Sequence, residues 1–315
     1  MKILIASSID PQTIEELRKN HDVVCAFDAK EDRLLEVIQD REILVFRSGV
    51  MINAKVMEAA PKLQLLIRAG SGLDNIDLAY AQSRSIQLER IPEPGARAVA
   101  EMTFALMLSL SRNVVHANEL WKQGVWAKKR MGGHLINGKT LGVIGLGSIG
   151  TTVAKLGKAW GMKAIGCVES YSTERRDALH ESGIELMNFN DVLMQADILS
   201  LHVPFNATTK YMINEAALKS MKKGSFLINL ARGGVVQETA LYNALLAGKI
   251  KGAALDVHEK EGDGNISPLA ELSNVILTPH IGAMALESQK MIGDRVLEIL
   301  DKINQKNAVS CAATY

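Results

Sequence analysis

The feature that most constrains the fold is a glycine-rich stretch in the middle of the chain. The apolar run Leu141–Ile144 leads into Gly145, Gly147 and Gly150, which have the spacing G-x-G-x-x-G. Apolar residues then recur at helical spacing, at Ile149, Val153, Leu156 and Trp160. In a strand–turn–helix unit, these glycines allow a tight turn, a close approach of backbone to a pyrophosphate and close helix packing. The stretch therefore predicts a dinucleotide site with the anion at the helix N-terminus.

Short apolar strands alternate with helices on both sides of this turn. Before it, strands are predicted at Ile3–Ala6, Val23–Phe27, Ile43–Phe46 and Leu65–Ile67, and helices at Pro11–Asn20, Glu31–Gln39 and Ala54–Ala60. After it, strands are predicted at Lys163–Val168, Ile184–Leu186, Ile198–Val203, Ser225–Leu230, Ala253–Val257 and Val275–Leu277, with helices at Ala216–Met221 and Thr239–Ala247. Repeated βαβ units of this kind predict two parallel, doubly wound sheets, that is, an α/β fold.

The position of the glycine turn defines the expected domains. A complete βα series precedes it and ends near Leu88, before a break at Pro92–Gly95. A last helix is predicted at Ala285–Gln305, followed by a polar tail from Asn307, and this helix is expected to rejoin the first series. A length of 315 residues also favours two domains. We therefore predict a discontinuous, flavodoxin-like substrate domain at 1–97 and 284–315, and a Rossmann-type cofactor domain at 98–283.

One helix is apolar nearly all round. It is predicted at Arg97–Leu110 and is followed by a more polar stretch that carries Trp121 and Trp126. A helix of this kind must be buried on most sides. The segment is predicted to connect the domains and to contact a second subunit in a homodimer; a core helix of a monomer is the alternative that the sequence leaves open.

Composition excludes several other classes of protein. A net charge of +1 gives no sign of a nucleic-acid or membrane-surface partner. The three cysteines are far apart, which argues against a disulfide scaffold or a zinc site and fits a reducing compartment. No apolar run is long enough for a membrane span or a signal peptide. We predict a cytoplasmic enzyme without a metal.

Three polar residues follow three of the later strands. They are Arg232, Glu261 and His280. Ligands of an open α/β sheet bind at the carboxyl ends of its strands. A histidine can exchange a proton, a carboxylate can orient it, and an arginine can bind an anionic substrate. Each of the three could instead be an ordinary loop residue, but together in one cleft they favour dehydrogenase chemistry.

Six segments in this order resemble the D-isomer-specific 2-hydroxyacid dehydrogenase family. They are Arg68–Asp77, Gly138–Gly150, Leu201–Pro204, Ile228–Gly234, Leu255–Val257 and Leu277–Gly282. The resemblance covers nearly the whole chain, and is closest to short phosphoglycerate dehydrogenases and hydroxypyruvate reductases. It implies an NAD-dependent oxidoreductase acting on a small D-2-hydroxy acid.

The resemblance also implies a role for each motif residue. Arg232 is expected to bind the substrate carboxylate and its 2-oxo oxygen, and His280 to protonate that oxygen as hydride arrives. Glu261 is expected to hydrogen-bond the imidazole and to stabilise its protonated form. The expected cofactor-binding residues are Gly145, Gly147, Ser148, Ile149, Gly150, Glu169, His202, Val203, Pro204, Thr209, Ala231, Asp256 and Gly282, with Asp256 at the nicotinamide carboxamide. The expected substrate-binding residues are Ser71 and Gly72 through their N–H groups, and Arg47, Ser48 and Arg97 for a phosphate or second carboxylate.

The chain departs from the family pattern at one position. The acid that selects NAD normally lies 23 residues after the first glycine, where this chain has Val168. Glu169 is next, and its charge would repel a 2′-phosphate, but Arg175 and Arg176 lie close enough to attract one. NAD is the predicted cofactor, with NADP left open.

Two other functions remain as alternatives. Phosphite oxidation on the same fold is compatible with the three polar residues, whereas formate oxidation is disfavoured because formate dehydrogenases have glutamine where Glu261 stands. The second alternative is a dinucleotide-sensing scaffold, like the corepressors related to this family. The physiological hydroxy acid is not determined by these residues.

Overall fold

The computed structural model describes residues 1–27, 29–47 and 49–312, with side chains described as far as residue 305. It divides into two compact units. Unit 1 comprises Met1–Ala96 and the C-terminal segment from Met284, and unit 2 comprises Arg97–Ala283. Unit 1 is thus discontinuous in sequence, whereas unit 2 is a single stretch that contains the glycine turn.

Unit 1 is built on a five-stranded parallel sheet. Its strands are β1 (Lys2–Ile5), β2 (Asp22–Cys25), β3 (Ile43–Phe46), β4 (Leu65–Arg68) and β5 (Gln87–Arg90), in the order β2-β1-β3-β4-β5. Its helices are α1 (Pro11–Asn20), α2 (Glu31–Val37), α3 (Ala54–Glu58), α4 (Leu78–Ser83) and, at the end of the chain, α12 (Leu286–Ala312). This strand order is that of flavodoxin-like folds.

Unit 2 has a seven-stranded parallel sheet. Its strands are β6 (Thr140–Ile144), β7 (Lys163–Cys167), β8 (Glu185–Leu186), β9 (Ile198–Leu201), β10 (Ser225–Asn229), β11 (Ile250–Leu255) and β12 (Val275–Leu277), in the order β12-β11-β10-β9-β6-β7-β8. Its helices are α6 (Val114–Lys122), α7 (Ser148–Ala159), α8 (Thr173–Glu181), α9 (Phe189–Gln195), α10 (Glu215–Ser220) and α11 (Glu238–Leu246), with two 3₁₀ turns at Lys128–Arg130 and Pro268–Glu271. The order reverses at β6, so the glycine turn lies at the topological switch point of a Rossmann sheet.

Buried apolar strands explain why both sheets are parallel. Every residue of β3, β4, β9 and β10 is buried. A strand that is apolar on both faces requires helices on both faces, which βα crossovers provide. Asparagine and aspartate begin several of these helices; Asp10 and Asn214 each accept a hydrogen bond from a backbone N–H three residues later. The predicted α/β fold with two doubly wound parallel sheets is therefore confirmed.

Two local predictions were wrong, and two elements were missed. Most of the proposed break at Pro92–Gly95 lies inside helix α5, which begins at Glu93 (Glu93–Ser111), because the proline at 94 in the first helical turn removes no intrahelical hydrogen bond. Helix α4 and strand β5 were missed as elements. The polar tail predicted from Asn307 continues α12 as far as Ala312, since small residues such as alanine support a helix.

Helices α5 and α6 are separated by a sharp bend. Asn113 adopts a left-handed conformation with φ of 54°, and the two helices meet at 62°. Among the described residues, no single helix is both long enough and apolar enough to cross a bilayer. Helices α5 and α6 have that length and apolarity only when the bent pair is taken together. Much of the apolar surface of α5, including Phe104 and Met107, packs in the core of unit 2.

Candidate active site

The polar residues after β10, β11 and β12 lie at one edge of the unit 2 sheet. These strands are adjacent and parallel, with Asn229 paired to Leu255 and Leu255 paired to Leu277. Their carboxyl ends therefore lie side by side. Arg232, Glu261 and His280 belong to the three turns that leave this edge.

Glu261 and His280 form a hydrogen-bonded dyad. Glu261 Oε2 lies 2.9 Å from His280 Nδ1, and the two side chains are 41% and 32% exposed. Burial opposes the ionisation of Glu261, but the hydrogen bonds with His280 and with the backbone N–H of His258 outweigh it and hold the Glu261 pKa below its ordinary value of 4.5. The carboxylate therefore stays ionised beside the imidazole. A cavity of about 520 Å³ is lined by both residues.

A buried carboxylate holds the turn that carries His280. Asp256 is 2% exposed, and its Oδ1 accepts hydrogen bonds from Thr278 Oγ1 at 2.6 Å and from the Ile281 N–H at 2.9 Å. Its Oδ2 accepts a third hydrogen bond from the Gly282 N–H at 2.7 Å. His280 has a φ of 56°, a left-handed conformation that side chains other than glycine rarely adopt. These contacts over-determine the turn and thereby maintain that conformation.

The turn that carries Arg232 depends on Asn229 and Gly233. Asn229 is buried, accepts a hydrogen bond from the Ala231 N–H at 3.0 Å and donates to the Arg232 carbonyl at 3.2 Å. A Cβ at Gly233 would lie 1.8 Å from the His258 carbonyl oxygen, so only glycine fits there. The turns after β10 and β11 are therefore in close contact, which fixes the backbone from which Arg232 projects.

The glycine turn fits a dinucleotide. A Cβ at Gly145 would lie 2.5 Å from the His202 carbonyl oxygen, and one at Gly150 would lie 1.9 Å from the Gly145 carbonyl oxygen. Gly147, by contrast, has open space where its Cβ would be. The outer glycines thus allow the turn to close, while the middle one leaves its backbone accessible. Ser148 and Ile149 begin α7, so the free N–H groups of that helix face the expected pyrophosphate position.

The loop after β9 also adjoins the glycine turn. A side-chain atom of Val203 lies 2.9 Å from the Cβ position of Gly145. Pro204 and Thr209 are bridged by a hydrogen bond of 2.7 Å from the Thr209 hydroxyl to the Pro204 carbonyl. The Thr209 hydroxyl therefore stabilises the loop itself, and its contact with a cofactor stays a prediction. Contacts of Ala231, Asp256 and Gly282 with a cofactor stay predictions as well.

The end of β7 is where the cofactor-selecting residue is expected. Val168 packs against the apolar core, whereas Glu169 is exposed in the following bend. Arg175 donates hydrogen bonds to the Leu146 carbonyl at 2.6 Å and to Thr151 Oγ1 at 3.1 Å, so its guanidinium lies on the glycine turn.

In unit 1, the loop after β4 is held by two arginines. Arg68 Nε donates to the Gly72 carbonyl at 2.9 Å, and Arg90 Nη2 donates to the Ser71 carbonyl at 3.1 Å. A Cβ at Gly70 would lie 2.6 Å from Arg68 Nη1, so a larger residue there would displace the guanidinium that holds the loop. This fixed loop is where the N–H groups of Ser71 and Gly72 are predicted to bind a carboxylate.

The predicted residues for a distal anion differ in burial. Arg47 is 9% exposed and donates to Gln289 Oε1 at 2.8 Å, and burial lowers its pKa. Arg97 is exposed and pairs with Glu101 at 2.6 Å on the same helix. Ser48 lies outside the described residues. Arg47 is therefore buried, as residues of a binding site often are, whereas Arg97 belongs to an exposed surface ion pair.

Sequence reasoning missed several polar residues that hold the turns at this edge of the sheet. Asn229 interrupts an otherwise apolar strand, and this polar residue in a buried run was the signal that could have identified it. Thr278 gave no comparable signal, because its partner Asp256 is 22 residues away in sequence. Within the part of the chain that the structure describes, no group of three or more histidine, cysteine or acidic side chains could hold a metal.

Comparisons with known proteins identify the family of this chain. Residues 104–282 match the family model described as "D-isomer specific 2-hydroxyacid dehydrogenase, NAD binding domain". The chain is 41% identical over 304 residues to the D-3-phosphoglycerate dehydrogenase of Methanocaldococcus jannaschii. The aligned residues cover 96% of this chain and 57% of that protein. It therefore spans little more than half the length of that relative.

Two other relatives match along most of their length. The hydroxypyruvate reductase of Thermotoga maritima is 38% identical over 276 residues, covering 87% of each chain. The crystal structure of D-lactate dehydrogenase from Aquifex aeolicus, complexed with NAD and lactic acid, superposes with a TM-score of 0.86 at 29% identity, covering 97% of this chain and 96% of that one. With its two sheets, its glycine turn and these relatives, the chain belongs to the D-isomer-specific 2-hydroxyacid dehydrogenase family.

Proposed function

We propose that this protein is an NAD-dependent oxidoreductase that interconverts a small D-2-hydroxy acid and its 2-oxo acid. The observation that carries the proposal is the contact of 2.9 Å between Glu261 and His280 at the carboxyl edge of the unit 2 sheet. An imidazole backed by a carboxylate can give a proton to a carbonyl oxygen and take it back in the reverse reaction. NAD(H), when bound, supplies or accepts the hydride.

Three side chains divide the remaining work. The His280 imidazolium donates its Nε2 proton to the 2-oxo oxygen during reduction and recovers it during oxidation. Glu261 holds the ring through Nδ1 and stabilises its cationic form. Arg232 binds the substrate carboxylate and polarises the 2-oxo oxygen, because a guanidinium matches carboxylate geometry.

NAD rather than NADP is the proposed cofactor. Glu169 is exposed at the end of β7, where its charge opposes a 2′-phosphate and its oxygens suit ribose hydroxyls. Arg176 pairs with Asp177 at 3.1 Å, and the Arg175 guanidinium is engaged by the glycine turn. Both arginines therefore already have partners, which reduces their availability to a 2′-phosphate.

We propose that the substrate carries a small polar or anionic group beyond C2, as 3-phosphoglycerate and hydroxypyruvate do. Arg47 follows β3 and the Ser71 loop follows β4, and these strands are adjacent and parallel. Both therefore lie at the same edge of the unit 1 sheet. A buried guanidinium at this edge favours an anion strongly, since little water screens it.

A substrate and cofactor panel tests the proposal. NADH and NADPH oxidation is measured with hydroxypyruvate, phosphohydroxypyruvate, glyoxylate and bulkier 2-oxo acids, and reduction of NAD with phosphite. We expect turnover of a small 2-oxo acid with NADH. Arg47→Met should raise KM for phosphohydroxypyruvate about tenfold or more and leave KM for glyoxylate unchanged. The control Arg33→Met removes an exposed ion pair of the same unit and should change neither KM value.

Other outcomes of the panel would decide for the alternatives. Turnover of phosphite without 2-oxo acid reduction would assign a phosphite-type dehydrogenase. Tight NADH binding without turnover of any substrate would assign a non-catalytic, dinucleotide-sensing scaffold.

We propose a second copy of this chain as its partner. Trp121 and Trp126 are 62% and 72% exposed, and their rings contact each other at 5.3 Å between centroids. Val114 and Leu135, in the neighbouring sequence, are also exposed. Large exposed apolar side chains in one region are typical of interfaces, and sedimentation equilibrium of the wild type and of Trp126→Glu tests the homodimer.

A further inference from the structure

Two further glutamates contact each other next to the loop that carries Glu261. Glu238 is the first residue of α11, and Glu259 precedes Glu261 by two positions. Each carboxylate accepts a hydrogen bond from the backbone N–H of the other residue: Glu259 N–H donates to Glu238 Oε1 at 2.7 Å, and Glu238 N–H donates to Glu259 Oε1 at 2.8 Å. The first turn of α11 and the loop after β11 are thus joined by a reciprocal pair of bonds.

Glu238 also holds the far end of the same loop. The Ser267 hydroxyl donates to Glu238 Oε2 at 2.5 Å. One carboxylate therefore binds the loop at residues 259 and 267, and Glu261 lies between these two points. Within the loop, Asn265 Nδ2 donates a hydrogen bond to the Glu261 carbonyl at 3.0 Å.

The burial of Glu238 shows that this contact is not a surface ion pair. Glu238 is 5% exposed, and an acidic side chain is seldom buried unless its oxygens are satisfied. The polar groups that face the pair are the Ser267 hydroxyl and the Tyr211 hydroxyl, which lies 3.4 Å from Glu259 Oε2. Both oxygens of the Glu238 side chain are therefore satisfied by hydrogen bonds from this loop.

We propose that Glu238 is a positioning residue for the reaction: it clamps the 259–267 loop so that Glu261 stays in contact with His280. The inference rests on the proposed function, because it gives the dyad its catalytic role. Glu238 acts through Glu261 and touches neither substrate nor cofactor. Loss of the clamp should therefore reproduce, in weaker form, the loss of Glu261.

The experiment compares Glu238→Ala with Glu261→Gln, with the double variant and with wild type. We expect Glu238→Ala to lower kcat for 2-oxo acid reduction about tenfold with KM changed less than about threefold, since a misplaced dyad affects the transition state more than binding. The alkaline limb of its pH–rate profile should move to lower pH, as in Glu261→Gln. The double variant should be no slower than Glu261→Gln alone, because residues acting in one chain of contacts are not additive.

Two further variants separate positioning from folding. Glu238→Gln keeps an acceptor for the Glu259 N–H and a donor for Ser267 Oγ, so it should recover most of the rate. Glu215→Ala removes the corresponding first-turn glutamate of the neighbouring helix α10, where it only pairs with the exposed Lys219. This control should leave both the rate and the pH profile unchanged.

A measurement without turnover keeps the two proposals distinguishable. The His280 ring signal is assigned in ¹³C-histidine-labelled protein by its loss in His280→Asn, and its titration is followed in each variant. If Glu238→Ala moves the midpoint towards that of Glu261→Gln, the clamp stands even when wild type reduces no 2-oxo acid. An unmoved midpoint, or a rate loss that adds to that of Glu261→Gln, overturns it. If Glu238→Ala does not fold, Ser267→Ala is measured in the same way and decides by the same criteria.

Discussion

Two histidines at the carboxyl edge of one sheet have opposite surroundings. His280 follows β12, is partly exposed and has a carboxylate at 2.9 Å from Nδ1. His202 follows β9, has Ser200 Oγ at 2.8 Å from Nε2, and has a buried Nδ1 for which the described residues offer no hydrogen-bond partner. Burial lowers the pKa of His202 to about 3, so this ring stays neutral near pH 7.

The difference in surroundings distinguishes a histidine that can exchange a proton from one that only packs in the core. A buried imidazole with a neutral partner cannot become a cation at moderate cost, whereas one beside an ionised carboxylate can. Position at the strand ends therefore does not by itself identify an acid/base residue. The partner of the ring does, and this makes the contrast between His280 and His202 testable.

Removal of His280 should have the largest effect. His280→Ala should lower kcat about 10³-fold, or about 4 kcal/mol in the barrier, because no other group delivers the proton. NADH binding, followed by fluorescence titration, should change less than about twofold. An unaltered steady-state rate would remove His280 from the mechanism.

Removal of the carboxylate should have an intermediate effect. Glu261→Gln should lower kcat about 30-fold, or about 2 kcal/mol, since the ring keeps a hydrogen-bond partner but loses the charge that stabilises its cation. The alkaline limb of the pH–rate profile for reduction should move to lower pH. A profile identical to that of wild type would show that the contact of 2.9 Å has no catalytic consequence.

Replacement of His202 should have the smallest effect on rate. His202→Gln should change kcat less than about tenfold and leave the alkaline limb in place. Its effect should instead appear in the pH dependence of stability. Between the ordinary histidine pKa of 6.5 and the folded-state pKa of about 3, His202 binds a proton in the unfolded chain but not in the folded chain. The free energy of unfolding of wild type therefore falls by up to about 1.4 kcal/mol per pH unit as pH falls through this range. Urea unfolding at pH 5 and 7 should show a smaller difference in the variant, and an equal difference would contradict the burial argument.

The fold was predictable because its signals are local. The glycine turn, the apolar strands and the helix periodicity each lie within about 20 residues of sequence, and together they specify a doubly wound sheet. The polar dyad residues were predictable for the same reason, since each follows a recognisable strand. The error at Pro92–Gly95 arose because proline is compatible with a first helical turn as well as with a break.

The support of the site was not predictable in this way. Glu238 contacts Glu259 across 21 residues of sequence and Ser267 across 29, and neither spacing corresponds to a periodic pattern. The anchoring of residues 278–282 by Asp256 likewise depends on the pairing of β11 with β12. Contacts of this kind depend on tertiary structure, so they cannot be predicted from sequence periodicity.

Asp256 and Glu261 serve His280 in separable ways. Asp256 shapes the main chain around the imidazole, while Glu261 meets the ring itself. A designer could therefore retune the acidity of the proton donor through Glu261 while its orientation is preserved by Asp256.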